Sequence, residues 1–392
     1  MSQLNEELHL KPEVFQRMSN LRLLKFYTTF DFDNGVKRNK VYLDHDLQSL
    51  PHSLRYLHWE EYPSRHLPSN FEPQNLVELS MRHSQLEQLL NEVQNLENLK
   101  SIDLSNSIHL TQFPDLSHAP NLERINFKYC TSLPQVPSHC LRNLNKLIDL
   151  NLSHCNAIRS ISNGVDLPSL RTLTVQGCSN LNTFPSVIYL RNLVALNLRN
   201  TAIENLPSSI GSLNNLSSLD LYDCKRLVGV PSSISKLDSL KHLVLSGCSL
   251  LEKFPELPQN IQILNMSRTS IKEVASSSIE CLFVLQQILL SSCRSFESLP
   301  TSVFKLRSLA ILTLDGCSNL KELPDISEPM KSLQQLHLDG TGIRQLPSSI
   351  TQLIGLRNLY MDGCENLKFV PNSICNLNAL STLTLSNCPK LE

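Results

Sequence analysis

The sequence lacks the features that would point to a nucleotide, nucleic-acid or membrane partner. Its 35 basic and 36 acidic residues leave a formal net charge of -1, so no overall positive field attracts nucleic acid or an anionic bilayer surface. No G-x-x-x-x-G-K-[ST] or G-x-G-x-x-G motif is present to hold a phosphate group. We therefore expect no nucleic-acid partner, no membrane partner and no cofactor.

Long apolar runs are also missing. The longest, Cys281 to Leu290, is interrupted by two glutamines and is well short of the ~20 residues that a bilayer span requires. The first residues carry Glu6 and Glu7 where a secretory signal would have a basic and then an apolar stretch. We expect a chain that is not secreted and that is cytoplasmic or nucleocytoplasmic.

The 12 cysteines match no zinc motif, because no C-x-x-C or H-E-x-x-H pairing occurs. Most of them recur at one fixed place in an internal repeat, which is unlike the disulfide framework of a small secreted domain. Thiol catalysis would need one unique cysteine beside a base. We expect reduced structural thiols, no metal site, no catalytic residue and no enzymatic activity.

What the sequence does contain is a leucine-rich repeat. The frame L-x-x-L-x-L-x-x-C/S/T, as in Leu99 to Ser107, returns with a period of about 21 to 25 residues. Positions are numbered one to nine from the first leucine. Positions three to six alternate polar and apolar residues, so each frame predicts a short strand that buries its leucines. The frames open at Leu21, Leu54, Leu76, Leu99, Leu122, Leu147, Leu170, Leu193, Leu216, Leu240, Ile261, Leu285, Leu309, Leu333, Leu356 and Leu380.

These frames predict an α/β fold, a leucine-rich-repeat solenoid or horseshoe. No single strand can bury its own leucines, so the copies are expected to stack into a concave parallel β-sheet. Segments such as Leu206-Pro207-Ser208-Ser209-Ile210 predict short helical turns or loops on the convex side. Proline pre-sets φ for a first helical position, and the serines can cap free N–H groups.

The domain organisation expected from these frames is simple. Residues 1–20 form a truncated N-terminal repeat or cap, and residues 21–392 form one solenoid of about 16 repeats. One insertion, Thr28 to Lys40, separates the first two frames and contains the turn pair Asn34-Gly35, which predicts a surface loop.

Three positions of the frame are candidates for a role. Position nine holds Cys, Ser or Thr, which we expect to lie under the turn and to bond its backbone. Positions seven and eight should emerge on the concave side, with basic residues early in the chain and acidic residues late, a gradient that could orient a protein partner. Tyrosine and arginine commonly anchor interfaces. The candidate protein-binding residues are Arg82, His83, Lys128, Tyr129, His154, Arg199, Tyr222, Asp315, Asp339 and Asp362.

A second interpretation of this column stays open, because any exposed column must be polar to stay in solution. Trp59, the single tryptophan, occupies the inward position six and is expected in the core.

The early frames resemble a known family. The runs Phe15-Gln-Arg-Met-Ser-Asn-Leu-Arg-Leu-Leu-Lys-Phe26, Leu54-Arg-Tyr-Leu-His-Trp-Glu-Glu-Tyr-Pro63 and Leu67-Pro-Ser-Asn-Phe71 are similar to the repeat region of plant intracellular disease-resistance receptors of the TIR, nucleotide-binding, leucine-rich-repeat class. That resemblance implies recognition of a pathogen effector or a guarded host protein, and autoinhibition of a nucleotide-binding module. The TIR centre and the nucleotide-binding module have no counterpart in these residues, and Leu89-Leu90 replaces the family's usual Leu-Trp.

Other functions compete with this one. A free-standing truncated repeat scaffold or decoy is the principal alternative. A receptor ectodomain should show a signal peptide, cysteine-paired caps and L-x-G-x-I-P turns, and a ligase substrate adaptor should carry a further domain before the repeats. None of these features is found, so both are less favoured.

Overall fold

The computed structural model describes residues 7–27, 29–31, 36–38, 41–90, 94–187 and 189–392. The chain divides into two compact units, Met1–Leu193 and Val194–Glu392. In each unit, short parallel strands alternate with turns and occasional 3₁₀ helices, which is the solenoid architecture predicted from the leucine spacing.

The first unit is built around a ladder of parallel strands, β2, β6, β7, β8, β9, β11 and β13, with smaller pairings beside it. β1 pairs with β5 and β10 pairs with β12, both in parallel. The elements are β1 (Leu8–Leu10), β2 (Leu23–Phe26), β3 (Thr29–Asp31), β4 (Val36–Arg38), β5 (Val41–Leu43), β6 (Tyr56–Trp59), β7 (Glu78–Ser80), β8 (Ser101–Asp103), β9 (Arg124–Asn126), β10 (Gln135–Val136), the 3₁₀ helix η1 (Ser138–Leu141), β11 (Asp149–Asn151), β12 (Ser160–Ile161) and β13 (Thr172–Thr174).

The insertion in the first unit is not the plain loop expected from its polar composition. β3 and β4 pair in an antiparallel hairpin, with Thr29 opposite Arg38 and Asp31 opposite Val36. The loop prediction was wrong for these residues because their backbone groups satisfy one another in a ladder. The turn pair Asn34-Gly35 lies outside the described residues.

The second unit repeats the same plan with the parallel ladder β14 to β22 in chain order. Several of its connections contain a single 3₁₀ turn. The elements are β14 (Ala195–Asn197), η2 (Ser208–Ser212), β15 (Ser218–Asp220), η3 (Ser232–Lys236), β16 (His242–Val244), β17 (Ile263–Asn265), η4 (Ser276–Ser278), β18 (Gln287–Leu289), η5 (Thr301–Lys305), β19 (Ile311–Thr313), β20 (Gln335–His337), η6 (Ser348–Gln352), β21 (Asn358–Tyr360), η7 (Asn372–Asn376) and β22 (Thr382–Thr384).

The leucines of the frame form the core of each unit. Position four of one strand lies opposite position four of the next, as Leu219 lies opposite Leu243, so their side chains stack in a row. Leu150 and Leu152 are 3% and 0% exposed, and Trp59 is fully buried, as predicted. Positions three and five of the same strands point the other way, and we call the surface they form the exposed sheet face.

The 3₁₀ turns differ in detail from the sequence prediction. Pro207 precedes η2 as its N-cap residue, in extended conformation with φ -67° and ψ 146°, and does not occupy the first helical position. No side-chain hydrogen bond caps η2, so the capping by nearby serines that the sequence suggested is not found at this turn. Ile210 and Leu213 are buried as expected. In the described parts of the chain no helix is long and apolar enough to cross a membrane.

Candidate functional site

The turn after each strand fixes how its side chains are presented. Position eight has a left-handed backbone in both units, for example at His83, Tyr129 and Arg268, with φ of 57°, 62° and 58°. This conformation costs a bulky residue about 1–3 kcal/mol, which explains why Gly, Asn and Asp often occupy the position. Large side chains retained there are therefore candidates for function. The sequence pattern alone did not reveal this strain.

Position five supports the residue two places later. Its Asp or Asn side-chain oxygen accepts a hydrogen bond from the backbone N–H at position seven, closing an Asx turn. Asp220 accepts from Tyr222 at 3.0 Å, and Asn197 accepts from Arg199 at 3.1 Å. The same turn recurs at Asp103, Asn126, Asn151 and Asn265. These polar residues fix the backbone that carries position seven, and one side-chain oxygen of each is used in that hydrogen bond.

In the first unit the candidate side chains form two groups. Arg82 donates through Nε to Asp103 Oδ2 at 2.7 Å. Lys128 Nζ lies 5.1 Å from the ring centroid of Tyr129, and that ring stacks on His154 at 4.5 Å and 8°. We call the second group the Lys128–Tyr129–His154 stack. Burial, and secondarily the Lys128 charge, lower the pKa of His154, so the stack carries a neutral imidazole at pH 7.

In the second unit two arginines enclose one tyrosine. The guanidinium carbons of Arg199 and Arg268 lie 4.4 and 5.1 Å from the ring centroid of Tyr222. Arg199 pairs with Asp220 at 3.2 Å, and Arg268 pairs with Asp223 at 3.1 Å. We call these five residues the arginine–tyrosine cluster. Because each arginine is held by its own carboxylate, the cluster is rigid and nearly neutral.

The middle of the exposed sheet face in the second unit is aliphatic. Positions three and five hold Val244, Ile263, Leu289 and Ile311, all partly exposed. Apolar side chains are infrequent in these places, since positions three and five are polar in most of the other frames. They give this part of the face the composition of an interface centre.

The last part of the second unit is acidic. Among the described residues no lysine or arginine lies within 4.0 Å of the carboxylates of Asp315, Asp339 or Asp362. Burial raises the pKa of Asp315, the His337 charge opposes that rise, and the like charge of Asp339 adds to it. Backbone N–H groups donate to Asp339 and Asp362, each at 2.6 Å.

The structure therefore arranges the sequence-predicted residues in small separate groups, whereas the sequence suggested one continuous column at positions seven and eight. Arg82, Lys128 and Arg199 each meet a carboxylate or an aromatic ring of a neighbouring frame position, whereas the three aspartates meet no lysine or arginine within 4.0 Å in the described chain. His83 likewise makes no ion pair or ring contact within the described residues. The sequence analysis missed five participants at positions five and eight, which are Asp220, Asp223, Arg268, His337 and Tyr360.

The cysteines at position nine form a structural ladder. Each thiol donates to the position-six carbonyl of the preceding repeat, as Cys130 does to Leu104 at 3.1 Å and Cys293 does to Met266 at 3.1 Å. Thr201 instead donates to Leu198 of its own repeat at 2.8 Å. Burial raises the pKa of Cys130 to about 12, so its nucleophilic thiolate is scarce near neutral pH. The ladder thiols thus take the place of backbone-bonding polar side chains, and those that are buried with a raised pKa are poor nucleophiles.

Comparison with known proteins identifies the repeats. Residues 154–266 match the family model of a leucine-rich repeat region, and residues 75–89 match a leucine-rich repeat model. The disease resistance protein RPS6 of Arabidopsis thaliana is 37% identical over 346 residues, which cover 78% of this chain and 30% of that protein. The chain is a leucine-rich-repeat protein homologous to plant disease resistance proteins. A second relative from the same plant, the disease resistance protein RPP2A, is 44% identical over 218 residues, 56% of this chain and 16% of that protein.

This leucine-rich-repeat protein spans less than a third of the length of either relative. Solved structures show the same fold at lower identity. A leucine-rich-repeat protein of Leptospira interrogans aligns with a TM-score of 0.55 at 23% identity, over 85% of this chain and 84% of that one. A chain of the Drosophila Toll–Spätzle complex aligns with a TM-score of 0.60 at 19% identity, over 86% of this chain and 45% of that one.

Proposed function

We propose that this chain is the protein-recognition region of a plant intracellular immune receptor, that it senses a pathogen effector or a guarded host protein, and that it acts in the cytoplasm. The observation that carries the proposal is the arginine–tyrosine cluster on a chain homologous to disease resistance proteins. Tyrosine and arginine dominate the energetic centres of protein interfaces. Here their side chains are ordered before any partner arrives, which lowers the entropy lost on binding.

The aliphatic row supports a protein partner over a small ligand. Val244, Ile263, Leu289 and Ile311 lie on four successive strands of one ladder, alternately at positions five and three, and neighbouring strands are about 4.8 Å apart. The row from β16 to β19 therefore extends about 14 Å across the strands. A partly exposed apolar row of this length, beside a rigid aromatic cluster, suits the buried centre of a protein interface with a polar rim.

The experiment exchanges the central ring. Receptor carrying this region is co-expressed in leaf tissue with a panel of cloned pathogen effectors, and cell death and co-immunoprecipitation are scored. Tyr222→Ala is expected to reduce capture of a recognised effector at least tenfold. Phe369→Ala is the control, because it removes a ring that is more accessible than Tyr222, 50% exposed, and that lies outside the strands. If only Phe369→Ala reduced effector capture, the interface would lie on the turns outside the strands and the proposal for Tyr222 would be wrong.

Autoinhibition is the second part of the proposal and is tested separately. The Lys128–Tyr129–His154 stack is the corresponding ordered group of the first unit, and we assign it to contact with the nucleotide-binding module of the receptor. Lys128→Glu reverses its charge and is expected to raise cell death without any effector. Tyr222→Ala should leave that background unchanged. If both variants cause the same level of cell death without an effector, the assignment of the stack is wrong. That result would not bear on the proposal of effector recognition.

A further inference from the structure

Two neighbouring repeats of the second unit bring one imidazole and two carboxylates together. Asp315 occupies position seven of one repeat, and His337 and Asp339 occupy positions five and seven of the next. One ligand atom from each side chain lies within 4.8 Å of the other two, and all three residues are half-buried. Because β19 and β20 are paired in register, with Thr313 opposite His337, the ladder fixes this spacing.

The spacing is too wide for direct pairing. No hydrogen bond or ion pair within 4.0 Å joins His337 to either carboxylate in the described chain. Two ligands of one zinc ion, each about 2.0–2.2 Å from the metal, lie between about 3 and 4.4 Å from each other. The imidazole and the two carboxylates are therefore at or slightly beyond the ligand spacing of one shared ion, a gap that small side-chain rotations would close.

The unused atoms of the carboxylates are an independent observation. Asp315 Oδ1 is fully buried and has no hydrogen-bond partner, while its Oδ2 accepts from Ser291 Oγ at 3.4 Å. Asp339 Oδ1 accepts the Asp362 N–H at 2.6 Å. A buried acceptor without a partner costs free energy. No lysine or arginine of the described residues lies within 4.0 Å to compensate either carboxylate.

We propose that Asp315, His337 and Asp339 bind one divalent first-row transition-metal ion of the Zn²⁺ class. One imidazole nitrogen with two carboxylate oxygens suits such an ion, whereas Ca²⁺ and Mg²⁺ prefer all-oxygen sites. Water fills the remaining coordination positions, since the three residues are half-exposed. The bound ion satisfies the buried oxygen of Asp315, offsets the charge of the acidic region and links two successive repeats.

This site escapes the usual sequence motifs for a structural reason. Asp315 comes from one repeat and is a repeat period away from His337 and Asp339 of the next, so no local C-x-x-C or H-E-x-x-H spacing marks the site. The expectation of no metal site considered only those local pairings. A His and two Asp at positions five and seven of consecutive frames are the corresponding signal in a solenoid.

The test titrates the whole 392-residue chain, stripped with chelator, with ZnCl₂ in an isothermal calorimeter at neutral pH. Two variants remove ligands conservatively. Asp339→Asn keeps the oxygen that accepts the Asp362 N–H, and His337→Phe keeps a ring that can contact Tyr360, 4.5 Å away by centroid. Asp362→Asn is the matched control, because it changes a neighbouring carboxylate outside the three.

The wild type and Asp362→Asn are expected to bind one more Zn²⁺ than the two ligand variants. Zn²⁺ should raise the melting temperatures of the wild type and Asp362→Asn but not those of the two ligand variants. Other histidines and exposed thiols contribute equally to all four titrations, so the difference isolates this site. The same stoichiometry and affinity in all four proteins would overturn the proposal. Equal affinity for Mg²⁺ would overturn the assignment to a transition metal. Circular dichroism checks folding, and if Asp339→Asn does not fold, His337→Phe alone decides.

Discussion

Gly247 has no Cβ, and the Asp223 side chain of the arginine–tyrosine cluster occupies the space where a Cβ would lie. The glycine occupies position eight with φ +81°, and a Cβ built there would overlap Asp223 Oδ1 and lie 3.2 Å from the Asp223 Cα. The Asp223 carboxylate is the group that pairs with Arg268. Gly247→Ala should therefore disturb both the backbone and the ion pair. Gly363 is a matched control, because it occupies the same frame position with φ +68° and its Cβ would meet only Gly340 atoms at 3.8 Å or more.

The two substitutions separate two free-energy terms. Gly363→Ala carries only the penalty for a left-handed alanine, about 1 kcal/mol. Gly247→Ala carries the same penalty and also forces Asp223 out of its rotamer and away from Arg268. That displacement adds about 1 kcal/mol, counting an off-rotamer side chain and a partly exposed ion pair. We expect losses of about 1 and about 2 kcal/mol in the free energy of unfolding.

Urea unfolding followed by circular dichroism measures both losses. In an Asp223→Ala background the obstructing carboxylate is gone and only the 3.2 Å approach to the Cα of residue 223 remains, so most of the excess cost of Gly247→Ala over Gly363→Ala should disappear. Two results would refute the reasoning. One is equal destabilisation by the two glycine substitutions in the wild-type background, and the other is an excess cost at Gly247 that is undiminished in the Asp223→Ala background.

Three further outcomes are expected. Leu219→Ala, at a fully buried position, should lower the free energy of unfolding by about 3 kcal/mol in urea titrations, whereas Leu250→Ala, 51% exposed, should change it by less than about 0.5 kcal/mol. Iodoacetamide should label Cys281 and Cys375, which are exposed, in the native chain, whereas the eight fully buried ladder thiols should react only after unfolding, as read by mass spectrometry. Burial raises the pKa of Cys130 from 9.0 to about 12, so the unfolded chain loses this proton first. This thiol therefore leaves the free energy of unfolding unchanged below pH 9 and lowers it by about 1.4 kcal/mol per pH unit between pH 9 and 12. The decline should be smaller in Cys130→Ala. If the difference in stability between the two proteins did not depend on pH, the inferred burial of the thiol would be wrong.

The leucine frame determined the fold because its information is local and repeated. A strand at positions three to five, buried leucines at four and six, and a bonded small residue at nine each follow from spacing within nine residues. Leu150, Leu152 and Trp59 lie in the core as that spacing requires. The hairpin of β3 and β4 was missed because it interrupts the repeat, so the period carries no information there.

The candidate surface depended on contacts between repeats, which spacing within one frame does not encode. The sequence placed Arg199 and Tyr222 in one exposed column, but only the ladder brought Arg268 over the same ring. It likewise placed Asp315 and Asp339 one period apart, and tertiary stacking added His337. The sequence by itself determined which side chains leave the core, since alternation along a strand is fixed by the backbone. Which of those side chains meet was decided by strand register, which acts between residues more than 20 positions apart, and by the left-handed turns, which set the direction of the side chains that register brings side by side.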